Sequence, residues 1–510
     1  MVHNRMPVLI GVGQATERGV DLKRAASPLD LMEQAVHAAT LDAGISNSAL
    51  ENLDVIAVVK SLIPFTKNPA HSLEQRLGVE KAFLYETPIG GNMPQFLMNK
   101  YSEEIANGKI KFALFAGAEA MDTGRRLLKS GVKPDWNEPA PAKANQIVDD
   151  IPMATEHEKA HGIWPARNVY PLFENALRAN YGNSIDEHQL EIGTLFSRFS
   201  EVASENDFAW FPIKRSPEEI AHVSDKNRLV GWPYTKYMNA MNQVNQSAAL
   251  LLTSVGAARE MSVPEENWVF LHGCADANEK WYVHERVNYH SSPAIERVGQ
   301  RAFSMAGKSV DDMKHIDIYS CFPVAVEIAR DELGISREDD RDLTVTGGLP
   351  YFGGAGSYVM NAIVEMAQKL RSERGEYGLV TANGGYLSEH SMGIYSTDAP
   401  AQATDDVPWV RTNPAVDQEI IDALQAPEFT EDPEGPAIIE TYTVASGRDG
   451  VPNLGIVIGR LGDGSDPMAP RFIANTPADL NLANKMMTED YIGAAGYVTK
   501  DETINRFIPD

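Results

Sequence analysis

The chain has 510 residues, 43% of them hydrophobic, which is enough to bury two or three substantial cores. Its 45 Lys and Arg against 71 Asp and Glu give a net charge of −26, which argues against nucleic acid or an anionic membrane as a partner. The two cysteines, Cys274 and Cys321, exclude a disulfide framework, and we predict no metal. Without a signal-peptide pattern or a long uncharged apolar run, we expect a cytoplasmic protein.

The first part of the chain, residues 1–120, alternates strand and helix patterns. Short apolar runs at residues 8–12, 54–59, 83–85 and 112–116 are typical of buried strands. Ser27-Pro28 caps a helix between the first two runs, and a second helix is predicted over 93–106. Continuous apolar strands that alternate with helices indicate a parallel-rich sheet covered on both faces.

A glycine-rich elbow at residues 88–95 connects the third strand to the second helix. Such a turn presents free backbone N–H groups, which stabilise negative charge, and enzymes often place a nucleophile on it. Here the apex carries Gly90 and Gly91, and no Cys, His or Ser.

After an insertion over residues 121–245, the same order of elements returns in residues 246–400. Ser292-Pro293 caps a helix, and strands are predicted at 316–319, 343–345 and 379–382, with a second glycine-rich elbow at 347–356. The step from helix to next strand is 25 residues in the first part (29 to 54) and 23 in the second (294 to 317). The near-equal spacing predicts two copies of one α/β unit.

The composition changes again after residue 400. Residues 401–435 form an acidic, proline-rich stretch that we interpret as a linker. Residues 436–510 contain short strand patterns at 437–444, 454–461, 471–474 and 493–498, with a helix near 479–487, and predict a small β domain.

The two α/β units, the insertion and the elbows together resemble the thiolase superfamily over about four-fifths of the chain. The resemblance is to thiolase-like proteins related to the sterol-carrier-protein thiolases. It implies a duplicated βαβαβ fold in five αβαβα layers, with a helical loop insertion. The small β domain resembles the OB-fold module of archaeal thiolases, where it helps shape the CoA-binding region. Its alternative role is stabilisation only.

Four sequence motifs carry this resemblance. The first elbow lies where the family has its nucleophilic cysteine, at Gly91. Tyr-Ser-Cys-Phe at 319–322 resembles the family's His-Asp-Cys-Phe or Asn-Glu-Ala-Phe motif, which helps bind the catalytic water. Gly-Gly-Ala at 353–355 matches Gly-His-Pro, with Gly354 in place of the histidine, and Asn383 takes the place of the acid–base cysteine in Cys-x-Gly. The resemblance therefore implies a thiolase scaffold without its usual reactive groups.

The remaining candidates for chemistry at this site are His390, Cys321 and Tyr319. His390 follows the matched Asn383 in what reads as a polar loop, where an imidazole titrates near neutrality and is suited to acid–base chemistry. Cys321 can act as a thiolate only if nearby positive charge lowers its pKa. Both also have a structural interpretation, as a hydrogen-bonded histidine and a buried core cysteine.

Three functions follow, in order of preference. The first is acyltransferase or lyase chemistry on a CoA thioester, with CoA or acyl-CoA as substrate or ligand and no covalently bound cofactor. The second is a catalytically silent CoA-binding or scaffold subunit. The third is an NAD-dependent oxidoreductase, suggested by Gly11-Val12-Gly13 after the first strand, although the fingerprint lacks its third glycine.

An anionic ligand needs local cations despite the overall charge. Residues 208–240 supply five Lys and Arg against three Asp and Glu, and the resemblance implies that CoA docks there. We predict that Lys214, Arg215 and Arg228 bind its phosphates and that Trp232 stacks on its adenine. The resemblance also implies a homodimer, with 112–116 as the edge strand beside the elbow. A monomer shielded by the C-terminal domain is the alternative.

Overall fold

The computed structural model describes residues 2–354, 356–404, 406–501 and 504–510. Ala355, the last residue of the Gly-Gly-Ala motif, lies outside the described residues. The strands, in chain order, are β1 (Pro7–Thr16), β2 (Val55–Val58), β3 (Phe83–Glu86), β4 (Phe112–Ala120), β5 (Asn145–Gln146), β6 (Leu229–Gly231), β7 (Tyr234–Thr235), β8 (Asn245–Ser254), β9 (Phe270–Asn278), β10 (Met313–Asp317), β11 (Tyr377–Gly384), β12 (Glu389–Ser396), β13 (Gly435–Ser446), β14 (Pro452–Leu461), β15 (Arg471–Asn475), β16 (Ala495–Asp501) and β17 (Ile504–Pro509).

The α-helices include the one that the sequence capped with Ser27-Pro28, first in the chain, and the one that it placed after the first elbow, third in the chain. In chain order they are α1 (Pro28–Asp42), α2 (Pro69–Leu77), α3 (Met93–Ala106), α4 (Met121–Lys129), α5 (Glu156–Ala160), α6 (Ala166–Tyr181), α7 (Ile185–Ser204), α8 (Pro217–Ala221), α9 (Val255–Glu260), α10 (Pro293–Ala306), α11 (Pro323–Glu332), α12 (Tyr358–Ser372), α13 (Ala415–Asp422) and α14 (Leu480–Thr488).

The first sheet has the order β1-β8-β4-β2-β3-β5. The strands β2, β3 and β4 run parallel, and β8 pairs antiparallel with both β4 and β1. Because β4 lies between β8 and β2, the expectation that residues 112–116 form a dimer edge is wrong. The outer side of β3 pairs with β5 at only two residues, Tyr85 with Asn145 and Glu86 with Gln146.

The second sheet, β10-β11-β12-β9, repeats the first. Parallel β10 and β11 correspond to β2 and β4, and antiparallel β12 and β9 correspond to β8 and β1. The segment 343–345 was predicted as a strand and is not one, although the Ile318 N–H donates to the Leu343 carbonyl at 2.9 Å beside β10. The predicted duplication is confirmed, with this segment in the position of β3.

The two helices that follow the elbows, α3 and α12, pack on each other between the sheets. The helix α1 covers the outer face of the first sheet, and α10 covers that of the second. This arrangement is the expected five-layered αβαβα fold. Within it Gly11 and Gly13 lie inside β1, where a Cβ would strike the Ala39 and Ala35 carbonyls of α1. They permit close helix–strand packing rather than phosphate binding, so the dinucleotide interpretation is wrong.

The five C-terminal strands close into a small barrel. The strand β13 pairs with both β14 and β16, and the remaining neighbours are β14–β15, β15–β17 and β16–β17. The helix α14 lies between β15 and β16 in the chain. A bridge between Ala445 and Gly231 joins the barrel to β6 of the insertion. Among the described residues, no helix is long and apolar enough to cross a membrane.

Candidate functional site

The first elbow is closed by the side chain of Tyr319. A Cβ added to Gly91 would collide with the Tyr319 hydroxyl oxygen and lie 2.6 Å from its Cζ atom and 2.5 Å from the Asn383 carbonyl oxygen. Tyr319 is buried, its ring meets that of Tyr358 edge-on at 5.7 Å, and burial holds the pKa of its phenol well above the usual value. The place where a nucleophilic side chain would project from position 91 is therefore occupied by a neutral phenol.

In the second elbow, two glycines lie beside the buried side-chain amide of Gln246. Gly353 and Gly354 have φ values of +94° and +79°, which side chains rarely adopt. A Cβ on either residue would lie 3.0 Å from Oε1 of Gln246. The Gln246 Nε2 atom donates to the Phe208 and Phe352 carbonyls, at 3.0 and 2.9 Å, whereas its Oε1 is buried without a hydrogen-bond partner. An imidazole at position 354 would need both another backbone conformation and another place for this amide.

Asn383, which takes the place of the acid–base cysteine, makes polar contacts with its neighbours. Asn383 is buried, its Nδ2 donates to the Tyr170 hydroxyl at 3.0 Å, and the same nitrogen lies 3.8 Å from Cys321 Sγ. The Tyr170 hydroxyl in turn donates to the Gly385 carbonyl at 3.2 Å. The structure thus brings together five of the predicted site residues: Gly91, Tyr319, Cys321, Asn383 and His390, which pairs with Asn383 across two strands.

The protonation states of Cys321 and His390 oppose acid–base chemistry. Burial raises the pKa of the Cys321 thiol to about 12 and lowers the pKa of His390 to about 3, with the nearby Arg286 adding to the latter shift. His390 lies on β12, 4% exposed, and donates through Nε2 to the Leu387 carbonyl at 3.2 Å. The expectation that its ring titrates near neutrality in a loop is wrong. A catalytic role for either residue stays a prediction, against this geometry.

The space around these groups is small. A closed cavity of about 20 Å³ is lined by Tyr319, Asn383, His390 and apolar side chains of α10, α11 and β12. Such a volume holds about one water molecule. No acyl chain fits in it without rearrangement of the protein.

The cations predicted to dock CoA lie on the insertion in separate local contacts. Lys214 pairs with Glu201, and Arg215 pairs with Glu219 while its guanidinium lies 3.9 Å from the centre of the Tyr237 ring. Arg228 donates to the Leu229 carbonyl at 2.8 Å. Their role in ligand binding stays a prediction.

The position of Trp232 disagrees with adenine stacking. The side chain is 7% exposed, and its ring stacks on Tyr442 of the barrel at 5.3 Å. Trp232 belongs to the hydrophobic core that the insertion shares with the barrel, so this expectation is corrected to a packing role.

A large apolar cleft opens beside the first sheet, between α4 and the segments 61–65 and 133–137. Its volume is about 920 Å³, within the range of small-molecule sites. Its walls include Ile63, Phe65, Leu128 and Trp136, of which Ile63 and Leu128 are more than half exposed. Three cations lie among its lining residues: Arg125, Lys129 and Lys133.

One acidic group lies at the floor of this cleft. Glu119, at the end of β4, is 1% exposed, and its carboxylate accepts from the Ser61 hydroxyl at 2.8 Å and the Leu62 N–H at 2.9 Å. Burial nevertheless raises the pKa of Glu119 to about 7. The same carboxylate lies 2.9 Å from where a Cβ would project from Gly356, so Glu119 lies between the cleft and the second elbow.

The sequence did not indicate this cleft, because its walls come from separate loops and from one helix. The pattern that was visible is the alternation of Arg125, Lys129 and Lys133 with Leu128 and Trp136 after the fourth strand. A cationic and apolar run directly after a parallel strand is a reasonable signal for a ligand site.

The duplicated five-layered fold with its two glycine elbows defines a member of the thiolase superfamily. Residues 275–397 match the family model described as "Thiolase C-terminal domain-like", and residues 417–503 match "Thiolase-like protein type 1 additional C-terminal domain". The chain is 37% identical to a monomeric SCP2-thiolase-like protein type 1 from Mycobacterium smegmatis, over 100% of both chains, with a TM-score of 0.85. The chain therefore belongs to the SCP2-thiolase-like type 1 proteins.

More distant relatives share the fold. Human mitochondrial 3-ketoacyl-CoA thiolase, solved in complex with CoA, is 14% identical over 78% of this chain and 100% of its own, with a TM-score of 0.53. An acetyl-CoA acetyltransferase of Methanothermobacter thermautotrophicus is 23% identical over 49% of this chain and 63% of its own length. The chain spans less than two thirds of the curated relatives that it matches.

Proposed function

We propose that this protein binds an acyl-CoA without forming an acyl-enzyme, and that the apolar cleft beside α4 holds the ligand. The observation that carries the proposal is the Tyr319 hydroxyl in the place of a side chain at position 91. A thiolase needs a thiolate there to accept the acyl group, and neither glycine nor a neutral phenol supplies one. Of the functions considered from the sequence, the geometry favours a CoA-binding protein without thiolase chemistry.

The cleft has the chemistry that an acyl-CoA requires. Its apolar walls suit an acyl chain, and Arg125, Lys129 and Lys133 suit the phosphates. Asp135 is the one exposed carboxylate among the residues that line it. By contrast, the open depression beside α7 is lined by six acidic residues and two arginines and would repel such a ligand.

We propose that the barrel is of the OB type, and its strand order supports this proposal. Its strands follow one another around the barrel as first, second, third, fifth and fourth, and a helix separates the third from the fourth. We propose that it serves this chain as a bracing domain, because its contacts with the insertion bury Trp232 and Tyr442 rather than exposing a groove.

The cations of the cleft and the cations of the insertion can be compared as binding sites for the CoA phosphates. Alanine at Arg125, Lys129 and Lys133 is expected to weaken binding of a long-chain acyl-CoA by at least about tenfold in isothermal titration at low salt. The matched control replaces Lys214, Arg215 and Arg228, the cations that the sequence nominated, and is expected to leave the affinity within about twofold. The reverse result would place the phosphates on the insertion, and unchanged affinity in both variants would refute docking at either site.

A further inference from the structure

A buried group of three potential metal ligands lies away from the cleft. It consists of Glu174 on α6, His188 on α7 and Glu327 on α11. One ligand atom from each residue lies within 4.8 Å of the other two, and all three side chains are buried. The sequence analysis predicted no metal and did not single out these three residues, which come from three different helices.

Two of the three residues are already oriented by hydrogen bonds. The His188 Nε2 atom lies 2.6 Å from Glu174 Oε1, and the Tyr234 hydroxyl donates to the other oxygen, Oε2, at 2.6 Å. A partner on the second carboxylate oxygen is the arrangement that orients ligands in metal sites.

The third residue, Glu327, interacts with the Glu174 carboxyl group and with the charge of Arg330. Both oxygens of Glu327 are buried without a hydrogen bond of normal geometry, and its side chain is 0% exposed. Two carboxylates and one neutral imidazole carry a charge of −2 when both acids are ionised. Burying such a charge is costly unless a cation compensates it. A single shared proton would leave a net charge of −1 and one Glu327 oxygen unsatisfied.

We propose that Glu174, His188 and Glu327 bind one divalent transition-metal ion as a structural site. One imidazole and two carboxylates suit Zn²⁺, Mn²⁺ or Fe²⁺, and an M²⁺ ion would bring the charge of the cluster to zero. Ligand bonds of about 2.1 Å place neighbouring ligand atoms about 3.4 Å apart. Side-chain movements of about 1 Å would bring the three ligand atoms to this separation.

The ion would hold together three helices that come from both the insertion and the second α/β unit. The same cluster is linked to the motif region by aromatic stacking. The ring of Tyr234 stacks on Phe322 at 5.4 Å, and Phe322 stacks on Tyr170 at 4.4 Å. Tyr170 accepts a hydrogen bond from Asn383, so the proposed metal would stabilise the residues that pack behind the first elbow.

The test is the metal content of the full-length protein, purified from medium supplemented with Zn²⁺ and measured by elemental mass spectrometry. The wild type is expected to carry about one equivalent per chain. Glu327→Gln, which preserves side-chain volume, should lower the content by at least about tenfold. Protein produced with Co²⁺ instead should show the visible absorption band of coordinated cobalt, and the variant should not.

Glu158→Gln is the matched control. Glu158 is also buried and lies 3.0 Å from His284 Nδ1, but no third ligand joins that pair among the described residues, so its loss should not change the metal content. Should Glu327→Gln fail to fold, Tyr234→Phe replaces it and is expected to weaken metal binding by at least about tenfold. Folded wild-type protein with less than about 0.1 equivalent and no cobalt band would overturn the proposal in favour of a shared proton.

Discussion

At position 91 the space that a side chain would occupy is already filled by the hydroxyl of Tyr319. At position 354 a positive φ and the Gln246 amide disfavour any side chain. Asn383 holds Tyr170 instead of carrying a thiol. The three replacements are thus accompanied by neighbours that fill or satisfy the vacated positions, and a single substitution is not expected to restore thiolase chemistry.

Gly91→Ala should destabilise the fold because its methyl group would overlap Tyr319. Overpacking of this kind costs about 1–3 kcal/mol, measurable by urea unfolding. In a double-mutant cycle, Gly91→Ala should lower the free energy of unfolding less in the Tyr319→Ala background than in the wild type, because the phenol is then absent. Gly124→Ala in α4 is the control, because a Cβ there meets no atom closer than 3.3 Å. Equal costs in the two backgrounds would show that Tyr319 does not fill this space.

Glu119 should make stability depend on pH. Its pKa is raised from 4.5 to about 7 by burial, so between these values the folded state keeps a proton that the unfolded state releases. The contribution of Glu119 to the free energy of unfolding therefore falls by at most about 3 kcal/mol as the pH rises from about 4.5 to about 7. Relative to wild type, Glu119→Gln should gain stability between pH 5 and pH 8 in urea titrations. A constant difference across this range would contradict the raised pKa.

At the level of elements, the sequence predicted what depends on local pattern. The strands β1, β2, β3 and β4 were found because each is a short apolar run, and α3 was placed at its observed limits because an elbow and a proline mark its start. The strand β9 was missed because Phe-Leu-His-Gly-Cys-Ala-Asp-Ala-Asn mixes polar residues into a buried strand. Residues 343–345 have strand composition but lack a continuous ladder partner, which sequence alone does not show.

The site was predictable only where a motif marked it. Gly91 could be nominated from the first elbow, and Tyr319 and Asn383 from two other motifs of the resemblance; the structure brings the three together. The burial that neutralises Cys321 and His390 arises from packing between distant elements, and so does the cleft around Glu119. The burial leaves no local pattern in the chain, and the cationic and apolar run over 125–136 marks only part of the cleft.

One arginine anchors the barrel to the second α/β unit. Arg471 on β15 is fully buried, pairs with Glu440 through Nε at 2.9 Å and Nη2 at 2.8 Å, and donates to the His284 carbonyl at 3.0 Å. Arg471→Ala should cost about 3–5 kcal/mol of unfolding free energy, because it leaves Glu440 buried with Arg460 alone. Arg506→Ala removes a half-exposed barrel pair with Asp501 and should cost no more than about 1 kcal/mol. Similar costs for both variants would refute the anchoring role.

At the scale of the whole molecule, the β3 side of the first sheet offers little edge for association. The outer side of β3 pairs with β5 at Tyr85 and Glu86, which leaves only about two residues for a strand of a second copy. We therefore predict one chain per particle at micromolar concentration in light scattering. A dimer that persists on dilution would contradict this view of the edge.

The central claim is that this thiolase fold holds an acyl-CoA without accepting its acyl group. Native mass spectrometry tests it most directly, with the protein incubated with a long-chain acyl-CoA and then sprayed under native and under denaturing conditions. We predict a native complex heavier by one intact acyl-CoA and, after denaturation, a chain of unmodified mass. An acyl group retained on the denatured chain, or the absence of any complex at saturating ligand, would contradict it.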